Sequence, residues 1–229
     1  MNLPNAVTVA RIAITPLIAW LPLAPTSGLR LTAFLLFVMA AVTDYVDGRL
    51  ARSRKEETDL GRLLDPLADK LLLLATLVPM FLLMRPSAHA AEPWPTKALD
   101  NVLPFHTPFG DVALAWWIIA VVLGRELVMT VFRQAAARRG VVISAIGPAK
   151  WKTGFQSLWV GSAYFWFFAA TVAAARGWNT PAWRGFASFN GIVGVAAMTG
   201  AVVLTLYSLG LYARTYGHVF LGTPVRGRG

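Results

Sequence analysis

The chain has no cysteine and only three histidines. Disulfide staples and thiolate metal sites are therefore excluded. The histidines, His89, His106 and His218, are too scattered to suggest a metal site. Charge is also scarce. Only 14% of the 229 residues are charged, and just eleven are acidic. A soluble globular domain carries about 25% charged residues. With 56% hydrophobic residues and a mean hydropathy of +0.57, this chain has too little polar surface to cover itself in water. An integral membrane protein follows, and the length suits a single membrane domain over 1–229. Neither an internal repeat nor a low-complexity tract is present. Apart from Arg11, no basic region precedes the first apolar run, which reads as a retained helix rather than a signal peptide.

The net charge of +10 would suit nucleic acid. Basic residues instead cluster between apolar segments, as in the cytoplasmic loops of membrane proteins, so no nucleic-acid partner is expected. The same charge attracts anionic membrane lipids and phosphate-bearing substrates.

Six apolar stretches can each reach the roughly 20 residues needed to cross a bilayer. They run near 7–26, 31–53, 60–84, 111–137, 152–175 and 185–213. In the second, third and fourth, the charge-free runs are short: Leu31 to Thr43, Leu71 to Met84, and Val112 to Gly124. Each of these helices must carry charge into or near the membrane at one end, and alternating direction puts those ends on one side. Asp44, Asp47 and Arg52 would thus meet Asp65 and Asp69, and also Arg125, Glu126 and Arg133, in a shared polar cavity.

Arg49, Arg52, Arg54, Lys55 and Arg62 fall between stretches two and three, and Arg138, Arg139, Lys150 and Lys152 between four and five. Loops on the other side hold far fewer cations, so the positive-inside rule places the cavity and both termini in the cytoplasm. The expected fold is an all-α integral membrane protein, with six transmembrane helices around a cytoplasm-facing polar cavity. It would be a multi-pass protein of the cell inner (cytoplasmic) membrane. The proline-rich stretch 85–110 reads as an extracytoplasmic loop and 214–229 as a cytoplasmic tail.

The densest chemistry lies in Asp44-x2-Asp47-Gly48-x2-Ala51-Arg52-x8-Gly61-x3-Asp65-x3-Asp69. Residues three and four apart share a helix face. One stripe therefore holds Asp44, Asp47, Gly48, Ala51 and Arg52, and another holds Gly61, Asp65 and Asp69. Facing each other, the stripes would crowd four carboxylates, which repel unless a cation lies between them. Oxygen donors without His or Cys select Mg²⁺, Mn²⁺ or Ca²⁺ over zinc. The small residues leave room near the backbone, and Arg52 suits a phosphate. These parts describe phosphoryl or phosphatidyl transfer, with two metal ions on a diphosphate and one carboxylate left to deprotonate a hydroxyl.

Blander readings exist for single members. One Asp near a helix end is usually a cap or an ion-pair partner, and Asp65-Pro66 could mark a helix start. Capping does not explain four acids at fixed offsets with two matched glycines. From a different class, intramembrane carboxylates also mark ion pathways, which would make the chain a divalent-cation transporter. Clustering of all the acids at one face argues against it.

The acidic pattern matches every fixed position of D-x2-D-G-x2-A-R-x8-G-x3-D-x3-D, and the chain thereby resembles the CDP-alcohol phosphatidyltransferase family. The segments Asn2–Ile12, Asp65-Pro66-Leu67-Ala68-Asp69-Lys70, Gly124-Arg125-Glu126-Leu127 and Lys150-x-Lys152-Thr153 are similar to its phosphatidylglycerophosphate synthase branch. That branch usually has Gly directly before the first of these lysines, whereas here Pro148-Ala149 separate Gly147 from Lys150. The resemblance implies a homodimeric membrane enzyme that moves the phosphatidyl group of CDP-diacylglycerol to sn-glycerol 3-phosphate and releases CMP. It implies Asp44, Asp47, Asp65 and Asp69 as ligands of two divalent ions, Mg²⁺ or Mn²⁺, with Asp69 as catalytic base. Asn5, Thr8, Gly48, Arg52, Thr58 and Gly61 would bind CDP-diacylglycerol, and Arg125, Arg133, Lys150 and Lys152 the acceptor phosphate. Cardiolipin synthases and phosphatidylinositol phosphate synthases of the same superfamily are the alternatives.

Overall fold

The computed structural model describes residues 3–54, 59–86, 101–139 and 147–216, and the side chains of 5–44, 64–86, 101–139 and 151–216. In chain order these form α1 (Leu3–Trp20), a 3-10 turn (Leu21–Leu23), α2 (Ser27–Arg54) and α3 (Asp59–Leu83). Strands β1 (Phe105–Thr107) and β2 (Gly110–Val112) come next, then α4 (Trp116–Ala137), α5 (Gly147–Ala175) and α6 (Pro181–Tyr216).

The protein is all-helical in character, and among the described residues five helices are long and apolar enough to cross a membrane. The spans are Asn5–Leu23, Ser27–Asp44, Leu64–Leu83, Trp151–Ala175 and Pro181–Tyr216. The fourth apolar stretch also forms a helix, but α4 carries Arg125, Glu126 and Arg133 within its 22 residues and falls short of that measure.

Prolines shape these helices without ending them. Pro16 lies inside α1, and Pro66 and Pro79 inside α3. Each removes one intrahelical N–H donor, a loss that membrane helices tolerate when neighbouring helices and side chains re-satisfy the freed groups. Asp65-Pro66 is therefore not a helix start, since α3 begins six residues before Asp65. Pro148, in contrast, sits at the second position of α5, where its missing N–H costs nothing. The lysines expected in a loop before that helix, Lys150 and Lys152, fall within α5.

The chain divides into two compact units, Met1–Ala115 with Ser157–Val195, and Trp116–Gln156 with Ala196–Gly229. In the first, α1 packs against α2 and α3. Its core includes Ile18, Leu77, Met80, Leu83, Phe105, Trp159, Tyr164, Trp166 and Phe167, all essentially without exposure. Tyr164 ties three helices together, its hydroxyl lying 3.1 Å from the Ile18 carbonyl of α1 and 3.2 Å from that of Ala75 in α3. At the opposite end of α2 from the acids, buried Arg30 donates from Nε to the Pro22 carbonyl (3.0 Å). Its two Nη atoms reach the side chains of Thr171 and Asn101. Asn101 adopts φ 54°, a left-handed conformation that Asn accepts readily.

Part of the stretch expected as a plain loop is a β-hairpin. Phe105 pairs with Val112, His106 with Asp111 and Thr107 with Gly110. Gly191 and Gly194 of α6 admit it closely: a Cβ on Gly191 would collide with the His106 backbone, and one on Gly194 with the Phe105 ring. These glycines thus serve close packing against a strand. The tryptophans also split. Trp116, Trp117 and Trp151 are exposed, as an interfacial belt requires, whereas Trp159, Trp166 and Trp183 are buried. The Trp166 indole donates to the Pro104 carbonyl at 2.9 Å.

The second unit buries Ile118, Val122 and Met129 of α4 with Ala197, Met198, Ala201 and Tyr212 of α6. Gly200 there admits the Phe155 ring of α5.

Candidate active site

Helical spacing puts Asp44 on α2 and Asp65 and Asp69 on α3, and α1 supplies what faces them. Asn5, Thr8, Arg11 and Thr15 recur at intervals of three and four along α1, and all are buried. In an otherwise apolar span this is a polar stripe on one face. Arg11, 4% exposed, donates from Nη1 to Asp44 Oδ1 at 2.6 Å and to Asp69 Oδ1 at 3.5 Å. Thr8 donates its hydroxyl to Asp65 Oδ1 at 2.8 Å. Thr15 donates to the Arg11 carbonyl at 2.7 Å.

Two carboxylates from different helices thus converge on one nitrogen, and a third is held by the same face of α1. The carboxylates stay open to solvent, with Asp44 50% and Asp69 62% exposed. Arg11 has no such outlet. Its Nε is buried and lacks a hydrogen-bond partner among the described residues, a defect that typically costs about 1–3 kcal/mol. Charge pairing with the acids offsets that cost.

Asp47, Gly48 and Arg52 lie on α2 and Gly61 on α3, but their side chains fall outside the described residues, and Thr58 does so entirely. Among the described residues no three His, Asp or Glu side chains gather closely enough to hold a metal. The pair Asp44 and Asp69 does share a centre of positive charge. Its all-oxygen chemistry suits a hard cation of the Mg²⁺ or Mn²⁺ kind.

The basic residues expected at an acceptor phosphate belong to the second unit. Arg125 and Lys152 are buried and converge on one carboxylate, Glu126. Arg125 Nη1 lies 2.9 Å from Glu126 Oε1, its Nη2 donates to Ser208 Oγ at 3.2 Å, and Lys152 Nζ reaches the same Oε1. Arg133 is exposed on α4, and the Lys150 side chain falls outside the described residues. Glu126, expected beside Arg125 in the polar cavity, is the anion of this cluster, and Ser208 is a member that the sequence did not announce. Nothing local flags Ser208, which arrives from 83 positions away. Arg11 was likewise read only as a lone charge near the terminus. Its signal was the spacing Asn5-x2-Thr8-x2-Arg11-x3-Thr15.

An open apolar groove lies on the first unit. It holds about 660 Å³ and is lined by Phe34, Phe37, Val38, Ala41 and Val42 of α2, by α5 from Ser157 to Phe165, and by Asn190 of α6. Its α2 wall ends two residues before Asp44.

Residues 1–207 match the family described as CDP-alcohol phosphatidyltransferase. The chain belongs to that family. Among curated relatives, CDP-diacylglycerol–glycerol-3-phosphate 3-phosphatidyltransferase of Bacillus subtilis (strain 168) is 34% identical over 70% of this chain and 75% of its own length. The protein of that name from Pectobacterium atrosepticum is 30% identical over 96% of this chain and 97% of its own. Cardiolipin synthase (CMP-forming) of Streptomyces coelicolor is also 30% identical, over 80% of this chain and 75% of its own. CDP-alcohol phosphatidyltransferases generally depend on divalent metal ions, in keeping with a donor set made of carboxylates.

Proposed function

We propose that this protein transfers the phosphatidyl group of CDP-diacylglycerol to sn-glycerol 3-phosphate, giving phosphatidylglycerol phosphate and CMP. The observation that carries the reading is the convergence of Asp44 and Asp69, from two helices, on one positive centre. Family membership and the names of relatives matched over nearly their full length support it.

Asp44, Asp47, Asp65 and Asp69 would hold two divalent ions, Mg²⁺ or Mn²⁺, which when bound neutralise charge on the diphosphate. Gly48 and Gly61 leave room for the nucleotide against the helix backbones, and Arg52 pairs with its phosphate. Asn5 and Thr8, on the buried face of α1, complete this donor side. Asp69, more exposed than Asp44 and farther from Arg11, takes the proton of the acceptor hydroxyl. That oxygen bonds to the phosphorus bearing diacylglycerol, the bond from the same phosphorus to the CMP oxygen breaks, and CMP departs with the electron pair. Arg125, Arg133, Lys150 and Lys152 supply the cations for the acceptor phosphate, with Glu126 fixing two of them. The apolar groove beside Asp44 takes an acyl chain of the donor.

The reading includes α4 as a sixth span, a cytoplasm-facing cavity, both termini in the cytoplasm, residence in the cell inner membrane, one domain over 1–229 and a homodimer. A second reading, cardiolipin synthesis with phosphatidylglycerol as acceptor, draws on the Streptomyces relative. Phosphatidylinositol phosphate synthesis differs only in its acceptor. A divalent-cation transporter finds no support in the family match.

Purified protein given labelled CDP-diacylglycerol, Mg²⁺ or Mn²⁺ and one acceptor at a time decides between them. Phosphatidylglycerol phosphate with glycerol 3-phosphate, and not with phosphatidylglycerol or inositol phosphate, is the expected result. Cardiolipin as the product would replace the acceptor, and absence of CMP release with every acceptor would overturn the enzymatic reading.

A further inference from the structure

The cation on α1 has no part in the reaction as written above, yet it occupies the middle of the carboxylate pair. Arg11 is almost fully buried, while both of its carboxylate partners are half or more exposed. A buried guanidinium is normally satisfied at every N–H, and this one leaves Nε unpartnered among the described residues. The hydrogen bonds it does make from Nη1 go to Asp44 and Asp69, so the charge of these two acids accounts for its placement. Carboxylates held close together repel, and a helix pair carrying them splays unless positive charge intervenes.

We propose that Arg11 is a resident counter-cation of the carboxylate cluster, a positioning residue that holds Asp44 and Asp69 toward each other while no divalent ion is bound and competes with the ions for those oxygens. The proposal rests on the metal reading given above. It is a mechanism of charge exchange: the guanidinium keeps α2 and α3 assembled in the metal-free protein, and divalent ions take over that work on loading. A thermodynamic cycle links the two states. To the extent that Arg11 stabilises the metal-free protein more than the loaded one, the stability lost without it returns as tighter ion binding, because ions then relieve a repulsion that the native protein has already quenched.

The test uses the full-length protein in detergent micelles, with Mn²⁺ as probe, read by its paramagnetic resonance signal and by thermal unfolding. Arg11→Met should unfold at lower temperature without metal and bind Mn²⁺ at least about tenfold more tightly than the native protein, an increment of 1.4 kcal/mol. Arg11→Lys should behave as the native protein does. Adding Asp44→Asn to Arg11→Met should restore much of the lost metal-free stability, because one of the repelling charges is gone. Equal Mn²⁺ affinity in native and Arg11→Met proteins, or failure of Asp44→Asn to rescue, would overturn the proposal and leave Arg11 a packing residue. If Arg11→Met does not fold, the Arg11→Met/Asp44→Asn pair carries the same test, since a folded double variant supports the proposal and an unfolded one opposes it. Absence of Mn²⁺ binding by the native protein would overturn the metal reading itself, an outcome distinct from equal binding by both.

Discussion

Glu126 of α4 and Lys152 of α5, 26 positions apart, share an ion pair in which Arg125 also takes part at the same carboxylate oxygen. Two buried cations thus depend on one anion. Removing one partner of a buried ion pair costs about 3–5 kcal/mol, because the charge left behind is uncompensated. Glu126 keeps a quarter of its surface exposed, so Glu126→Gln should fall near the lower end. Thermal inactivation in detergent should shift down, and the KM for glycerol 3-phosphate should rise more than that for CDP-diacylglycerol. Arg125→Ala should show the same selective rise. An equal effect on both substrates would detach this cluster from the acceptor.

Asp69 is the assigned base, and its removal separates chemistry from binding. A positioned general base contributes roughly 10² to 10⁴ in rate. Asp69→Asn keeps shape and loses the basic oxygen, so turnover should fall by that order while labelled CDP-diacylglycerol still binds. A variant with near-native turnover would hand the role to another carboxylate of the set.

Hydropathy and the four-acid spacing made the helices and one wall of the site readable, because both signals are local. Apolar runs mark spans by length alone, and offsets of three and four fix which side chains share a face. What stayed hidden depends on pairings distant in sequence. Arg11 looks like a terminal charge until α1 is packed against α2 and α3, 33 and 58 positions away. Five prolines between 85 and 110 argued for plain loop, but Pro108 sits in the turn joining β1 to β2, where it is compatible with pairing. Trp166 sits in an uncharged apolar run, and only the fold shows its indole meeting the Pro104 carbonyl of a segment 62 positions earlier. Hydropathy assigns a helix to the membrane without saying which of its faces meets protein.

The hairpin yields a test of the fold alone. Gly191 lies so near the His106 backbone that a methyl group there must displace main chain rather than a side-chain tip. Overpacking of this kind typically costs about 1–3 kcal/mol. Gly191→Ala should lower the unfolding temperature, whereas Gly185→Ala, within α6 where a Cβ meets nothing within 4 Å, should leave it the same or slightly higher. Equal behaviour of the two would mean that the hairpin does not rest on α6 as described.

The apolar groove makes a prediction about chain length in the lipid donor. Ala41 lies on its α2 wall, one helical turn from Asp44, and Gly161 on the α5 wall sits 3.7 Å from the Phe37 ring by its would-be Cβ. A large side chain at 41 fills the groove while leaving the carboxylates untouched. Burying each methylene stabilises by about 0.8 kcal/mol, so excluding even three or four from the groove should raise KM more than tenfold. Ala41→Trp should therefore weaken a long-chain CDP-diacylglycerol selectively, with kcat preserved, and spare a short-chain analogue too small to reach the groove. Equal loss on both donors would mean that the acyl chains lie elsewhere, in the surrounding bilayer rather than against α2 and α5.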